Sequence, residues 1–169
     1  MEKKTDYKVI DVMTLNPVRT GPDTTVSECV AIMKNSNVGS VLVFEANKLL
    51  GIITEWDITR KVVADNKDPQ TTTVANVMTT NVTSINPNAN LFEAVNLMAQ
   101  LDVKHLPVLD NGEFMGFMTS NDILKIEPAL FEILLDEIDL RESERKPLSG
   151  YEEEDAGQGL SYDVHDDDE

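Results

Sequence analysis

The stretch Gly51-Ile52-Ile53-Thr54-Glu55-Trp56-Asp57-Ile58 returns later in the chain as Gly116-Phe117-Met118-Thr119-Ser120-Asn121-Asp122-Ile123. Both have the pattern G-h-h-T-x-x-D-I, where h is apolar, and the second lies 65 positions after the first. The same ungapped shift pairs Val12-Met13-Thr14 with Val77-Met78-Thr79, Pro22 with Pro87 and Glu28 with Glu93. It also pairs Val30 with Val95, Met33 with Met98, Val38 with Val103 and Val43 with Val108. A register kept without a gap from Val12 to Ile58 is a tandem duplication, and it constrains the chain to fold as two copies of one unit.

Each copy predicts the order strand, helix, strand, strand, helix. In the first, Val9–Met13 is a short apolar opening and Val18–Thr20 a brief strand before the turn Gly21-Pro22-Asp23. Thr25-Val26-Ser27-Glu28 has the spacing of a capping box, and Val26, Cys29, Val30 and Met33 continue at helical intervals over 25–35. Ser40–Phe44 is an unbroken apolar run suited to a strand buried on both faces. A turn at 45–48 returns the chain as a strand over Leu49–Ile53, and a helix runs from Glu55 to Ala64. The second copy predicts a strand over Val82–Ile85 and a helix over Leu91–Ala99 capped by Asn90. Strands over Leu106–Leu109 and Phe114–Met118 are joined at Asn111-Gly112, the favoured pair for a type I′ turn, and a helix over Ser120–Ile126 closes the unit.

Charge separates these two units from the C-terminal remainder of the chain. The net charge is −17, and residues 127–169 hold 16 acidic against 3 basic side chains. Pro128 and the stripe Leu130, Phe131, Leu134, Leu135 and Ile138 predict an amphipathic helix over 127–146. Residues 147–169 are too acidic and too poor in apolar groups to order themselves. The organisation is thus a first repeat over 7–64, a polar linker over 65–73, a second repeat over 74–126, the helix and the tail. No basic face suited to a nucleic-acid backbone is present. The one cysteine, Cys29, reads as a small core residue and argues against a disulfide framework.

Taken in order, these marks resemble a tandem pair of CBS domains (cystathionine-β-synthase-type repeats, or a Bateman module), of the stand-alone type known in archaea. Asp11-Val12-Met13-Thr14 and Asn76-Val77-Met78-Thr79 open the units, His105-Leu106-Pro107-Val108-Leu109-Asp110 matches the central strand, and G-h-h-T-x-x-D closes each unit. The resemblance covers residues 7–126. It implies an α/β (α+β) fold of two β-α-β-β-α repeats packed with pseudo-twofold symmetry, with clefts between them for adenosine-containing ligands. It implies that Asp57 and Asp122 hold ribose hydroxyls, with Thr54 and Thr119 beside them facing ribose or phosphate. By the same resemblance, Val18, Thr20, Val82, Thr83 and Ile85 line the base pockets, and Lys104 and His105 sit where basic groups meet phosphate. Arg60, Lys61 and Lys125, one turn beyond each Asp, read first as surface charge, with a supplementary phosphate contact as the alternative, while Trp56 stands where the family often has a basic residue.

The chemistry is sensible without the family, since a carboxylate accepts from both ribose hydroxyls at once. A Thr that opens a helix lies at a positive dipole end beside free amides, where phosphate is welcome. The same Thr-x-x-Asp spacing is also that of a helix capping box, and the two roles can coexist. Lys104 and His105 read equally as solvated groups at a strand edge. No nucleophile-and-base pair, metal-ligand cluster or phosphate loop argues for an enzyme. Gly150-Tyr151 and the residues after it resemble a zinc ribbon without its cysteines, so no structural metal is expected. The expectation is a cytoplasmic regulatory module without catalytic cofactor. Its effector is AMP, ADP, ATP, S-adenosylmethionine or an NAD-type compound. It would act as a homodimer through helices carrying Ile58, Val62, Ile123 and Ile126. A further protein partner is possible, and neither membrane nor nucleic acid is involved. The alternative from another class is a structural dimerisation or adaptor module with vestigial pockets.

Overall fold

Residues 7–128 are described by the computed structural model, so the expected acidic tail, and the C-terminal helix beyond its first two residues, lie outside them. The elements run α1 (Val9–Val12), β1 (Arg19–Thr20), α2 (Val26–Ser36), β2 (Ser40–Glu45), β3 (Lys48–Thr54) and α3 (Glu55–Ile58). A π-turn over Thr59–Val63 and a 3-10 turn over Val74–Asn76 lead into α4 (Leu91–Leu101), β4 (His105–Asp110), β5 (Glu113–Thr119) and α5 (Ser120–Ile126). The fold is mixed α/β (α+β), with tandem repeats of one plan.

Local chemistry explains the matching boundaries. Thr25 accepts from Glu28 N–H while Glu28 accepts from Thr25 N–H, closing the capping box of α2. Asn90 caps α4 by accepting from Glu93 N–H at 2.9 Å. Both helices end alike, with Asn37 and Asp102 in the left-handed region at φ 53° and 55°. The next amides, Val38 and Val103, reach back to the carbonyls of Met33 and Met98, each at 3.0 Å, as a Schellman end requires. The second hairpin turns at Asn111 and Gly112 with φ of 48° and 87°, the signs a type I′ turn needs.

The sheets pair as β1-β2-β3 in the first repeat and β4-β5 in the second. The strand expected over Val82–Ile85 is reduced to one parallel bridge, Ile85 to Val108, where the first repeat pairs both Arg19 and Thr20 with β2. Pro107 is the reason. In the first repeat Leu42 N–H donates to the Val18 carbonyl at 3.1 Å, and the residue equivalent to Leu42 is Pro107, which has no N–H to give. The helix expected over 55–64 is also different: only its first turn is α, and the chain then widens into the π-turn.

The opening segments cross between repeats. Thr14 N–H donates to the Phe117 carbonyl at 2.8 Å, and Phe117 N–H returns to Thr14 at 2.9 Å. Thr79 and Ile52 make the same exchange at 2.8 and 3.0 Å. Val9 and Met13 accordingly pack in the core of the second repeat, with Leu91, Val95, Met98 and Ile123. Val74 and Val77 pack in the core of the first, with Val26, Cys29, Val43 and Ile53. Residues 7 and 8 are anchored by this exchange, for the Tyr7 carbonyl accepts from Leu91 N–H and Lys8 bridges to Asn90. Between the two sheets Leu42, Phe44, Ile52 and Phe117 form a third apolar cluster.

The crossing also explains the glycine of each motif. A Cβ on Gly51 would lie 2.5 Å from the Thr79 carbonyl oxygen, and one on Gly116 would lie 2.7 Å from Met13 Sδ. Two of the residues expected at a dimer face are core residues instead: Val62 and Ile123 are buried, because the inner side of each closing helix seals its own repeat. The outer sides expose Trp56, Val63, Leu124 and Ile126.

Candidate functional site

The two strand-to-helix junctions, Thr54 into α3 and Thr119 into α5, each place an Asp three residues into the helix and beside the other repeat's opening segment. Thr54 donates to Asp57 Oδ2 through both its N–H (3.0 Å) and its hydroxyl (2.6 Å), and its Oγ1 accepts from Asp57 N–H at 3.1 Å. Thr119 does likewise toward Asp122 Oδ2, with N–H and hydroxyl both at 2.8 Å. The capping arrangement is therefore present at both sites, as the spacing allowed.

The remaining carboxylate oxygens differ. Asp57 Oδ1 receives the Lys61 ammonium at 2.7 Å and the Thr79 hydroxyl at 3.1 Å. Lys61 also donates to the Val77 carbonyl at 2.9 Å and to Thr79 Oγ1 at 3.3 Å. Burial by itself would raise the Asp57 pKa. The hydrogen bonds from Lys61 and Thr54, with the Lys61 charge, outweigh it and hold the carboxyl below the ordinary range. Asp122 Oδ1, by contrast, accepts no hydrogen bond from a described residue, and Asp122 is half-buried where Asp57 is buried. The position equivalent to Lys61 in the second repeat is Ile126.

His105 opens β4 opposite Thr119 in the hairpin register, and its ring stacks on Phe117 with centroids 5.9 Å apart and planes 8° from parallel. Its pKa is lowered first by burial and then by the Lys104 charge, with the Asp57 carboxylate acting in the opposite direction. His105 thus lies beside the second junction and also feels the charge of the first repeat's Asp57. Lys104 is exposed, and its carbonyl accepts from Ser120 N–H at 3.1 Å.

The residues implied for the base pockets are not all free to serve there. Val18 and Val82 are half-buried, the first against the core of its own repeat and the second against the cluster between the sheets. Thr20 donates its hydroxyl to Thr24 at 2.8 Å, and Thr83 is exposed. Ile85 is 8% exposed and belongs to the core of the second repeat, so its side chain is committed to packing, while its N–H donates to the Pro107 carbonyl and its carbonyl accepts from Leu109 N–H.

Sequence reasoning missed two features. The Thr79 contact to Asp57 crosses repeats and leaves no local signal. Arg19 stacks over Phe44 and Phe114, 4.5 and 4.9 Å from the ring centres, covering one end of the seam between the sheets. The i,i+4 spacing of Asp57 and Lys61 was readable as an ion pair. A separate groove of about 510 Å³ lies between α2 and α3, lined by Val30, Met33, Val38, Glu55 and others, and no implied ligand residue lines it. Among the described residues no helix is long and apolar enough to cross a membrane, and no cluster of three metal-ligating side chains occurs.

Comparison with known proteins agrees with this architecture. The CBS domain family matches residues 9–64 and 74–128. The CBS domain-containing protein YhcV of Bacillus subtilis is 36% identical over 115 residues, which span 68% of this chain and 81% of that one. An uncharacterised conserved protein from Pyrococcus horikoshii superposes with a TM-score of 0.68 at 28% identity, over 72% of this chain and 92% of its own. The CBS domain pair of protein MJ0100, solved in complex with 5′-methylthioadenosine and S-adenosyl-L-methionine, superposes with a TM-score of 0.65 at 26% identity, over 73% and 97% of the two chains. The fold and paired junctions define a tandem regulatory ligand-binding module. The chain belongs to the CBS-domain family.

Proposed function

We propose that the protein senses an adenosine-containing small molecule, bound at the second junction through the ribose hydroxyls on Asp122. The observation that carries this reading is the idle carboxylate oxygen. Asp122 Oδ2 is held by Thr119, which fixes the side chain, and Oδ1, which no described residue fills, is left to accept from a ligand. A carboxylate oriented by its own helix cap is pre-organised, so binding orders little that is not already ordered. The complex solved for MJ0100 supports the ligand class. Catalysis has no part in this reading, and the output is a shift between packings that changes the surface offered to a second copy or to a partner. Exposed Trp56 and Leu124 on the closing helices suit self-association.

At the first junction a structural reading is favoured for the ligand-free protein, because both Asp57 oxygens are taken by protein groups. Calorimetric titration with adenosine, AMP and S-adenosylmethionine tests the proposal. Asp122→Ala should weaken the ligand that binds by about 1.5–3 kcal/mol, the range for hydrogen bonds to a charged group. Loss of the helix cap should cost about 1 kcal/mol of stability alongside. Unchanged affinity in a folded Asp122→Ala protein would remove this carboxylate from the site.

A further inference from the structure

The two junctions descend from one duplicated motif, yet their carboxylates are not in the same state. A carboxylate offers about four acceptor positions, two on each oxygen. Asp57 has all of them in use: Thr54 N–H and hydroxyl on Oδ2, the Lys61 ammonium and the Thr79 hydroxyl on Oδ1. Among the described residues, Asp122 uses only the two that Thr119 fills. A ribose diol brings two hydroxyl donors, so it finds both places open on Asp122 and none open on Asp57.

Lys61 is what closes the first junction, and it is well held. Its three N–H groups match three acceptors: Asp57 Oδ1, the Val77 carbonyl and Thr79 Oγ1. Two of these come from the second repeat's opening segment, so the contact also ties the repeats together. At the equivalent place on α5 stands Ile126, exposed and uncharged. A neutral nucleoside that displaced Lys61 would leave an ammonium without its anion. A phosphate-bearing nucleotide replaces that anion with its own oxygens, and Lys104 and His105 add positive or hydrogen-bonding character nearby.

We propose that Lys61 is an internal latch that makes the clefts selective: the Asp122 cleft takes an uncharged adenosine-type nucleoside, and the Asp57 cleft opens only to a nucleotide whose phosphate takes over Lys61. This rests on the reading of Asp122 as a ribose site. The first repeat thereby reports phosphorylated ligand and the second reports the nucleoside portion alone, so one chain distinguishes the two chemical forms.

The test is calorimetry on the full chain with adenosine and with AMP. The wild type should take one adenosine per chain but two AMP. Ile126→Lys, made at an exposed position that the fold tolerates, installs the latch in the second repeat and should weaken adenosine about fivefold while sparing AMP. Lys61→Met should create a second adenosine site. If that variant does not fold, because a buried Asp57 loses its cation, Ile126→Lys decides alone. Equal stoichiometry for the two ligands in the wild type overturns the latch and leaves the ribose reading standing. So does adenosine affinity that Ile126→Lys does not change. Binding of neither ligand to the wild type overturns the latch, and if S-adenosylmethionine also fails to bind, the ribose reading falls with it.

Discussion

Asp57 and His105 belong to different repeats, and the folded environment lowers the pKa of each. The His105 pKa is depressed chiefly by burial, then by Lys104, against an opposing pull from Asp57. The unfolded chain therefore takes up this proton first as pH falls, near an ordinary His pKa of about 6.5, and the folded state lags behind. Stability from neutral His105 is complete above that pH and is lost as pH falls through the lower folded value. Asp57 has the same sign but acts in the more acidic carboxylate range, since its folded pKa is also depressed. Comparing urea midpoints from about pH 8 down to about pH 5.5 isolates the histidine. The wild type should lose stability over that window and His105→Gln should lose less; parallel curves would show that the stacked ring contributes nothing to the pH response.

At the scale of elements, the G-h-h-T strand is one place where the backbones of the two repeats meet. β3 and β5 each accept the other repeat's opening segment as a short added bridge, at Ile52 with Thr79 and at Phe117 with Thr14. A side chain at the glycine would stand in the path of that backbone. Gly51→Ala meets a carbonyl oxygen at 2.5 Å, which moves only with its chain, whereas Gly116→Ala meets chiefly Met13 Sδ at 2.7 Å, on a flexible side chain. Overpacking of this kind costs about 1–3 kcal/mol, so Gly51→Ala should sit near the top of that range and Gly116→Ala near the bottom. Chemical denaturation of the two variants checks the order, and a reversed ranking would contradict the close approach at Gly51. The junctions obey the same division. Their Thr-x-x-Asp caps are local and repeat faithfully, while the group on the second carboxylate oxygen is set by the residue one turn on, Lys61 in one repeat and Ile126 in the other.

For the whole molecule, the exchange of opening segments makes the repeats interdependent. The first core needs Val74 and Val77 from beyond the linker, and the second needs Val9 and Met13 from before the first strand. Each fully buried aliphatic of this kind contributes about 1.5–3 kcal/mol, a large share of a small domain's margin. A fragment of residues 1–64 should therefore show no cooperative unfolding transition by circular dichroism, where the full chain shows one. A fragment that melts cooperatively by itself would mean that the repeats are separate domains. What the sequence determined alone were the features with a short period or a local partner. These are the duplication, the capped helices α2 and α4, the Asn-Gly hairpin, and the Thr-x-x-Asp pattern that places both candidate carboxylates. The tertiary structure decided that Ile85, Val62 and Ile123 are core residues, that Pro107 denies the second repeat a full first strand, and that each opening segment serves the other repeat. It also decided that Thr79 helps fill Asp57, while no described residue fills the second oxygen of Asp122. Those outcomes depend on which groups from distant parts of the chain meet across the seam, and helical or strand periodicity carries no information about partners on the other side of an interface.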